Sequence, residues 1–153
     1  MSRQFAELLL KEALITQAIF NEADEAFKVS KEDPIRHVMR VAQLQESKIL
    51  EHFSKKYSIP SFDLAKYNID QEVIKIFKTE DVRRYQLIPV QRAKGTLVVA
   101  MADPTALQNL DDIKFKTQLK VEAVITSISA FDAVVEKHYG VMHSLEALNK
   151  TAE

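Results

Sequence analysis

The chain has 153 residues, 46% of them apolar and 28% charged, with a formal net charge of −1. That is enough for one domain or two small ones with a real core, and a near-neutral balance gives no electrostatic case for a nucleic-acid or membrane-surface binder. The absence of cysteine excludes disulfides and thiol chemistry, and the two glycines, Gly95 and Gly140, form neither a G-x-x-x-x-G-K-[ST] nor a G-x-G-x-x-G phosphate loop.

Phe5, Leu8, Leu9 and Ala13 fall at helical spacing. Thr16 is placed to cap a second helix carrying Ile19, Phe20, Ala23 and Phe27. Pro34 suits the first turn of a third, with Ile35, Val38, Met39 and Ala42. Residues 45–57 repeat the pattern with Ile49, Leu50, Phe53 and Tyr57, and Ser58-Ile59-Pro60 ends it. An internal repeat at an offset of 29 aligns Leu9 with Val38, Ala13 with Ala42 and Phe20 with Ile49. Each copy predicts a helix, a turn and a helix, so residues 1–58 form a tandem of helical hairpins that could pack as a small bundle. Chance alignment of two amphipathic hairpins would give a similar pattern.

Residues 59–69 form a connector. Asp70 to Phe77 predicts a short helix, and Thr79 caps another through Arg84. Ile88 to Gln91 and Thr96 to Ala102 then predict a β-hairpin turning at Lys94-Gly95, where Gly95 supplies φ > 0. Asp103-Pro104 stops the second strand. Leu107 to Thr117 reads as a helix and Lys120 to Thr126 as a strand, by its alternation of Val121, Ala123 and Ile125. Ser129-x-x-Asp132 resembles a capping box opening a last helix, with Gly140 at its C-terminal stop. Residues 141–153 are a weakly amphipathic tail. The expected class is α+β: two helical hairpins, then a small α/β unit over residues 70–140 with three or more strands.

The chemistry is sparse. His37, His52, His138 and His143 make no metal-ligand pair at helical spacing. Glu80-Asp81 and Asp111-Asp112 are adjacent pairs whose side chains diverge on a helix, so helix-end charge accounts for them better than an acid/base dyad. No serine sits in G-x-S-x-G. Lys114, Lys116 and Lys120 form a local basic patch that a solvated face explains. No catalytic residue, metal or cofactor is expected, and ATP should be neither bound tightly nor hydrolysed. No apolar run reaches the roughly 18 residues of a membrane span, and Met1-Ser2-Arg3-Gln4 does not open a signal peptide. A cytoplasmic location, without direct membrane insertion, is the expectation.

Several phrases together resemble a family. They are Ala6-Glu7-Leu8-Leu9-Leu10-Lys11-Glu12-Ala13-Leu14-Ile15-Thr16, Ile59-Pro60-Ser61-Phe62-Asp63-Leu64, Arg84-Tyr85-Gln86-Leu87-Ile88-Pro89-Val90, Gly95-Thr96-Leu97-Val98-Val99-Ala100-Met101-Ala102-Asp103-Pro104, Leu110-Asp111-Asp112-Ile113 and Glu136-Lys137-His138-Tyr139-Gly140. In order and spacing they resemble the N-terminal, MshEN-like domain of type II secretion ATPases and type IV pilus-extension ATPases. The resemblance implies a non-catalytic adaptor. Its partner would be the cytoplasmic part of an inner-membrane platform protein, or a motor ATPase, and that partner would recruit it to the inner membrane. The chain stops where the family's ATPase domains would begin, so it is expected to be either an excised domain or a free-standing relative. Phe5, Leu9 and Phe20 on the first helices are candidate partner anchors.

Some members of that family bind cyclic di-GMP through two copies of a motif that starts Arg-Leu-Gly, carries a second glycine and ends near a glutamine. The helical repeat falls on those copies. In the first, Gln4 stands at the arginine, with Arg3 adjacent, followed by Phe5. Ala6 and Ala13 replace glycines, and Phe27 replaces the glutamine. In the second, Asp33, Pro34 and Ile35 replace Arg-Leu-Gly, Ala42 replaces the other glycine and Lys56 the glutamine. A Cβ blocks the close approach that glycine allows, aspartate repels a phosphate where arginine attracts it, and proline removes a donor. The expectation is a kept fold and lost cyclic di-GMP binding. A sensor with an altered motif is the alternative.

Overall fold

A computed structural model describes the backbone of residues 2–31, 33–42 and 45–152, and the side chains of these except 2, 36, 42 and 141–152. The chain divides into two compact units, Met1–Ile49 and Leu50–Glu153.

The first unit is helical: α1 (Ser2–Lys11), α2 (Gln17–Ser30), α3 (Pro34–Ala42) and the start of α4 (Glu46–Tyr57). Thr16 caps α2, its hydroxyl accepting the Ile19 amide at 3.2 Å. Asp33 accepts the Ile35 amide at 3.0 Å ahead of Pro34, which opens α3. Adding the repeat offset to Gln17 gives Glu46, so α2 and α4 start at equivalent positions. α1, α2 and α3 pack mutually around Phe5, Leu9, Ala23 and Val38, and the boundary between units falls inside α4.

α1 ends in a left-handed residue. The Leu14 amide reaches the Leu9 carbonyl at 2.9 Å and the Ala13 amide the Leu10 carbonyl at 3.0 Å, with Ala13 at φ +60°. This is the Schellman closure, which favours glycine at that position. α4 closes the same way on Ser58, φ +54°, with the Ile59 amide on the Ser54 carbonyl at 3.1 Å.

The second unit continues with α5 (Gln71–Ile74), α6 (Thr79–Tyr85), β1 (Ile88–Ala93), β2 (Thr96–Met101), α7 (Leu110–Thr117), β3 (Lys120–Ile125) and α8 (Ile128–Ala152). Short 3-10 turns cover Leu64–Lys66 and Pro104–Asn109. The sheet order is β1-β2-β3, with β1 antiparallel and β3 parallel to β2. Lys94 and Gly95 have φ +51° and +78°, the two positive angles of a type I′ turn. A bulge between Pro89 and Gln91 shifts the β1 register. Leu97, Val99 and Met101 of β2 are fully buried, as a central strand requires. The segment expected to be a connector joins this sheet: Ser61 bridges Ile125 in parallel, the Phe62 amide donates to the Ile125 carbonyl at 2.8 Å, and the Ile125 amide to the Pro60 carbonyl at 3.0 Å.

Several helix ends differ from expectation: α5 stops at Ile74 rather than Phe77, and α7 opens at Leu110 rather than Leu107. α6 starts one residue earlier in its capping, with Asp81 accepting the Lys78 amide at 2.9 Å, and Thr79 lies inside the helix. Ser127, not Ser129, caps α8, accepting the Ala130 amide at 3.2 Å. α8 runs through Gly140 to Ala152. A helix continued by its neighbours overrides the stop preference of one glycine, and the tail is therefore helical backbone.

Candidate functional site

The positions aligned with the ligand motif lie on α1 to α4, and most are already occupied by structural work. Ala6 is fully buried and Phe5 and Ile35 nearly so. The Asp33 carboxylate caps α3, and Pro34 is buried in its first turn. Gln4 is exposed, but Arg3 beside it donates to Glu7 at 2.8 Å and Asp24 at 3.1 Å and lies 5.8 Å from the Phe20 ring. An arginine held by two carboxylates must leave them to meet a phosphate. Phe27 is 42% exposed, with the Lys31 ammonium 5.4 Å above its ring. Lys56 lies 5.8 Å from the Tyr57 ring on α4. Ala13 alone keeps a backbone that a glycine would favour. Ala42 ends α3, and its side chain, with that of Arg36, lies outside the described residues.

Of the three anchors expected on the first helices, two are buried. Phe5 and Leu9 are 3% and 0% exposed, so they serve the core. The same apolar spacing marks a core face and a docking face, and burial decides between them. Phe20 is partly exposed beneath Arg3. Among the described residues, the large exposed apolar side chains of this unit are Phe27 and Val29, late in α2, and Val41 near the end of α3.

In the second unit the buried charge sits on α6. Burial pushes the Asp81 carboxyl up, but the Lys116 ammonium and the Lys78 amide outweigh it and hold it below the usual carboxylate range. Lys116 is thereby taken, and Lys114 lies 3.7 Å from Asp111, which dissolves the basic patch. Asp103 differs: burial raises it, against the Thr105 amide and hydroxyl that it accepts at 2.9 and 2.7 Å. The Tyr139 hydroxyl donates to the Ile74 carbonyl at 2.9 Å, and burial holds that phenol above its ordinary range. Burial, then Lys137, lowers His138. The His143 side chain lies outside the described residues. Among the described residues no group of His, Asp and Glu is placed to hold a metal ion, and no helix is long and apolar enough to cross a membrane.

Helices followed by a small mixed sheet define a class with solved members. The structure of MshE with cdg aligns with a TM-score of 0.58 at 21% identity, over 88% of this chain and 98% of that one. The N-terminal domain of XpsE aligns with a TM-score of 0.57 at 18% identity, over 86% and 91%. In sequence, the type IV pilus assembly ATPase PilB of Myxococcus xanthus is 30% identical over 139 residues, which is 91% of this chain and 25% of the relative. PilB of Acinetobacter baylyi is 22% identical over 135 residues, 88% of this chain and 23% of the relative. The MshEN domain matches residues 57–145, and the chain belongs to that family. The resemblance to the N-terminal domain of secretion and pilus ATPases is borne out, as is the α+β class. The MshEN match begins at residue 57, at the end of α4, and runs through the connecting segment and the α/β unit. The chain spans about a quarter of the length of the curated relatives it matches.

Proposed function

We propose that this chain is a non-catalytic adaptor of a type IV pilus or type II secretion motor, binding a protein partner of the motor or its membrane platform, and that it does not use cyclic di-GMP. The observation that carries the second half is the helix cap at Asp33. A carboxylate engaged with the Ile35 amide stands where the motif has a phosphate-seeking arginine. The buried Ala6 and the two carboxylates on Arg3 act in the same direction.

The competing role, a cyclic dinucleotide sensor, is favoured by two observations. Ala13 keeps the left-handed turn at a motif glycine, and the fold is shared with MshE, solved with cdg. Calorimetry with cyclic di-GMP at tens of micromolar protein separates the two. No saturable heat is expected, since affinity weaker than about 0.1 mM gives little signal there. A fitted dissociation constant below about 10 µM establishes the sensor instead. For the adaptor role, capture from native cells should recover a platform or motor protein. That capture should be lost on deleting residues 1–30 and retained with alanine changes in the Arg92-to-Gly95 turn. Capture that follows the hairpin turn and ignores the deletion moves the docking surface to the sheet unit.

A further inference from the structure

The outer edge of β3 is half closed. The Lys120 amide donates to the Gly95 carbonyl at 3.0 Å and the Thr126 amide to the Met101 carbonyl at 2.8 Å, so the even residues of β3 bond inward to β2. The odd residues bond outward. Ile125 does so with Pro60 and Phe62. Val121 and Ala123 face the same way, and no backbone group of the described residues meets them. A cavity of about 560 Å³ lies along this stretch, lined by Lys114, Gln118, Leu119, Lys120, Val121 and Glu122. Phe115 on α7, between two lining residues, is 81% exposed. An open strand edge is a template for another strand.

We infer that this edge pairs antiparallel with the same edge of a second copy of the chain, with Val121 on the two-fold axis. The sequence around Val121 is complementary to its own reverse. Val121 opposes Val121 of the partner subunit as a hydrogen-bonded pair, which its outward amide and carbonyl permit. Lys120 then opposes Glu122 of the partner subunit, and Glu122 opposes Lys120 of the partner subunit. Both side chains are exposed and share one face of the strand, and such non-hydrogen-bonded neighbours stand closest across an antiparallel pair. Two opposite-charge pairs therefore form at once. A one-residue slip of register places Val121 against charge, and a two-residue slip places Lys120 against Lys120 of the partner subunit or Glu122 against Glu122 of the partner subunit. The contact is short, below the roughly 1,200 Å² of stable complexes. It is a weak dimer, populated when copies are concentrated or held together by other parts of an assembly.

Sedimentation equilibrium of the 153-residue chain tests this, together with amide spectra recorded against concentration. The expected result is a dimer with a dissociation constant below about 1 mM, with concentration-dependent shifts at the Val121 and Ala123 amides. Lys120→Glu and Glu122→Lys each place like charges opposite one another twice and should weaken the dimer about fivefold or more. The combined exchange, Lys120→Glu with Glu122→Lys, should restore it to within about twofold. Circular dichroism confirms that the variants are folded. A chain monomeric at about 1 mM, or a dimer indifferent to single reversals, or folded singles that the exchange does not rescue, overturns the inference.

Discussion

Replacing Ala13 with glycine should stabilise the protein, although it removes a methyl group from a chain that has few glycines. Ala13 lies at φ +60° and is exposed, so its Cβ pays the left-handed penalty without burying anything. That penalty is about 1–2 kcal/mol for an L-residue. Glycine removes it but adds unfolded-state freedom worth about 0.4–1 kcal/mol. The net expectation for Ala13→Gly is about 0.5–1 kcal/mol of added stability. Ala6→Gly restores the other motif glycine and should do the opposite. Ala6 is fully buried inside α1, so glycine loses about 1 kcal/mol of helix preference and a buried methyl besides. Urea unfolding followed by circular dichroism at 222 nm measures both. The midpoint should rise for Ala13→Gly and fall for Ala6→Gly, with an unchanged slope. A fall for Ala13→Gly shows that the α1 closure does not strain its alanine, and the reasoning from φ fails.

Asp81→Asn should cost about 1–3 kcal/mol at neutral pH by leaving Lys116 without its carboxylate and the Lys78 amide with a weaker acceptor. Because the folded carboxyl lies below its ordinary value of 3.8, this stability is present above that pH and lost as pH falls through the lower folded value; the asparagine variant should lose that acid limb in urea titrations. Asp103 has the opposite sign. Its folded value is raised, so its contribution is full below 3.8 and declines as pH rises through the folded value. Asp103→Asn keeps an acceptor for the Thr105 amide and should flatten that decline, whereas Asp103→Ala should lose about 1 kcal/mol of capping at acid pH and less as pH rises, in the same assay. Tyr139→Phe should cost about 1–2 kcal/mol, because the Ile74 carbonyl loses a buried donor; a midpoint within error of the parent protein contradicts that bond.

Local chemistry made much of this fold readable. Thr16, Pro34 and Asp70 mark helix starts by what their own atoms can do, and Lys94-Gly95 marks the hairpin by the angles it needs. Long-range choices were hidden. Lys116 and Asp81 are 35 positions apart, and nothing near either one announces the other. Pro60 reads as a breaker, yet it accepts from β3. Ala13 carries no outward sign of a left-handed backbone. Phe5 and Leu9 show why the candidate anchors were less legible than the elements. A stripe of apolar residues says that something will cover it, not whether that cover is the chain itself or another molecule.

The bridge from Ser61 to Ile125 has a consequence for how the molecule comes into being. The segment at Pro60 to Phe62 is made early, and the strand that receives it is made about 60 residues later. At ordinary rates of synthesis the wait is about 3–12 s. Through that interval the Phe62 amide has no ladder to join, and once residues 88–101 are made the β-hairpin pairs locally but still lacks its parallel neighbour. The sheet unit cannot be finished from its N-terminal end forward. Its closure waits for β3, which joins the segment at Pro60 to Phe62 on one side and the central strand on the other.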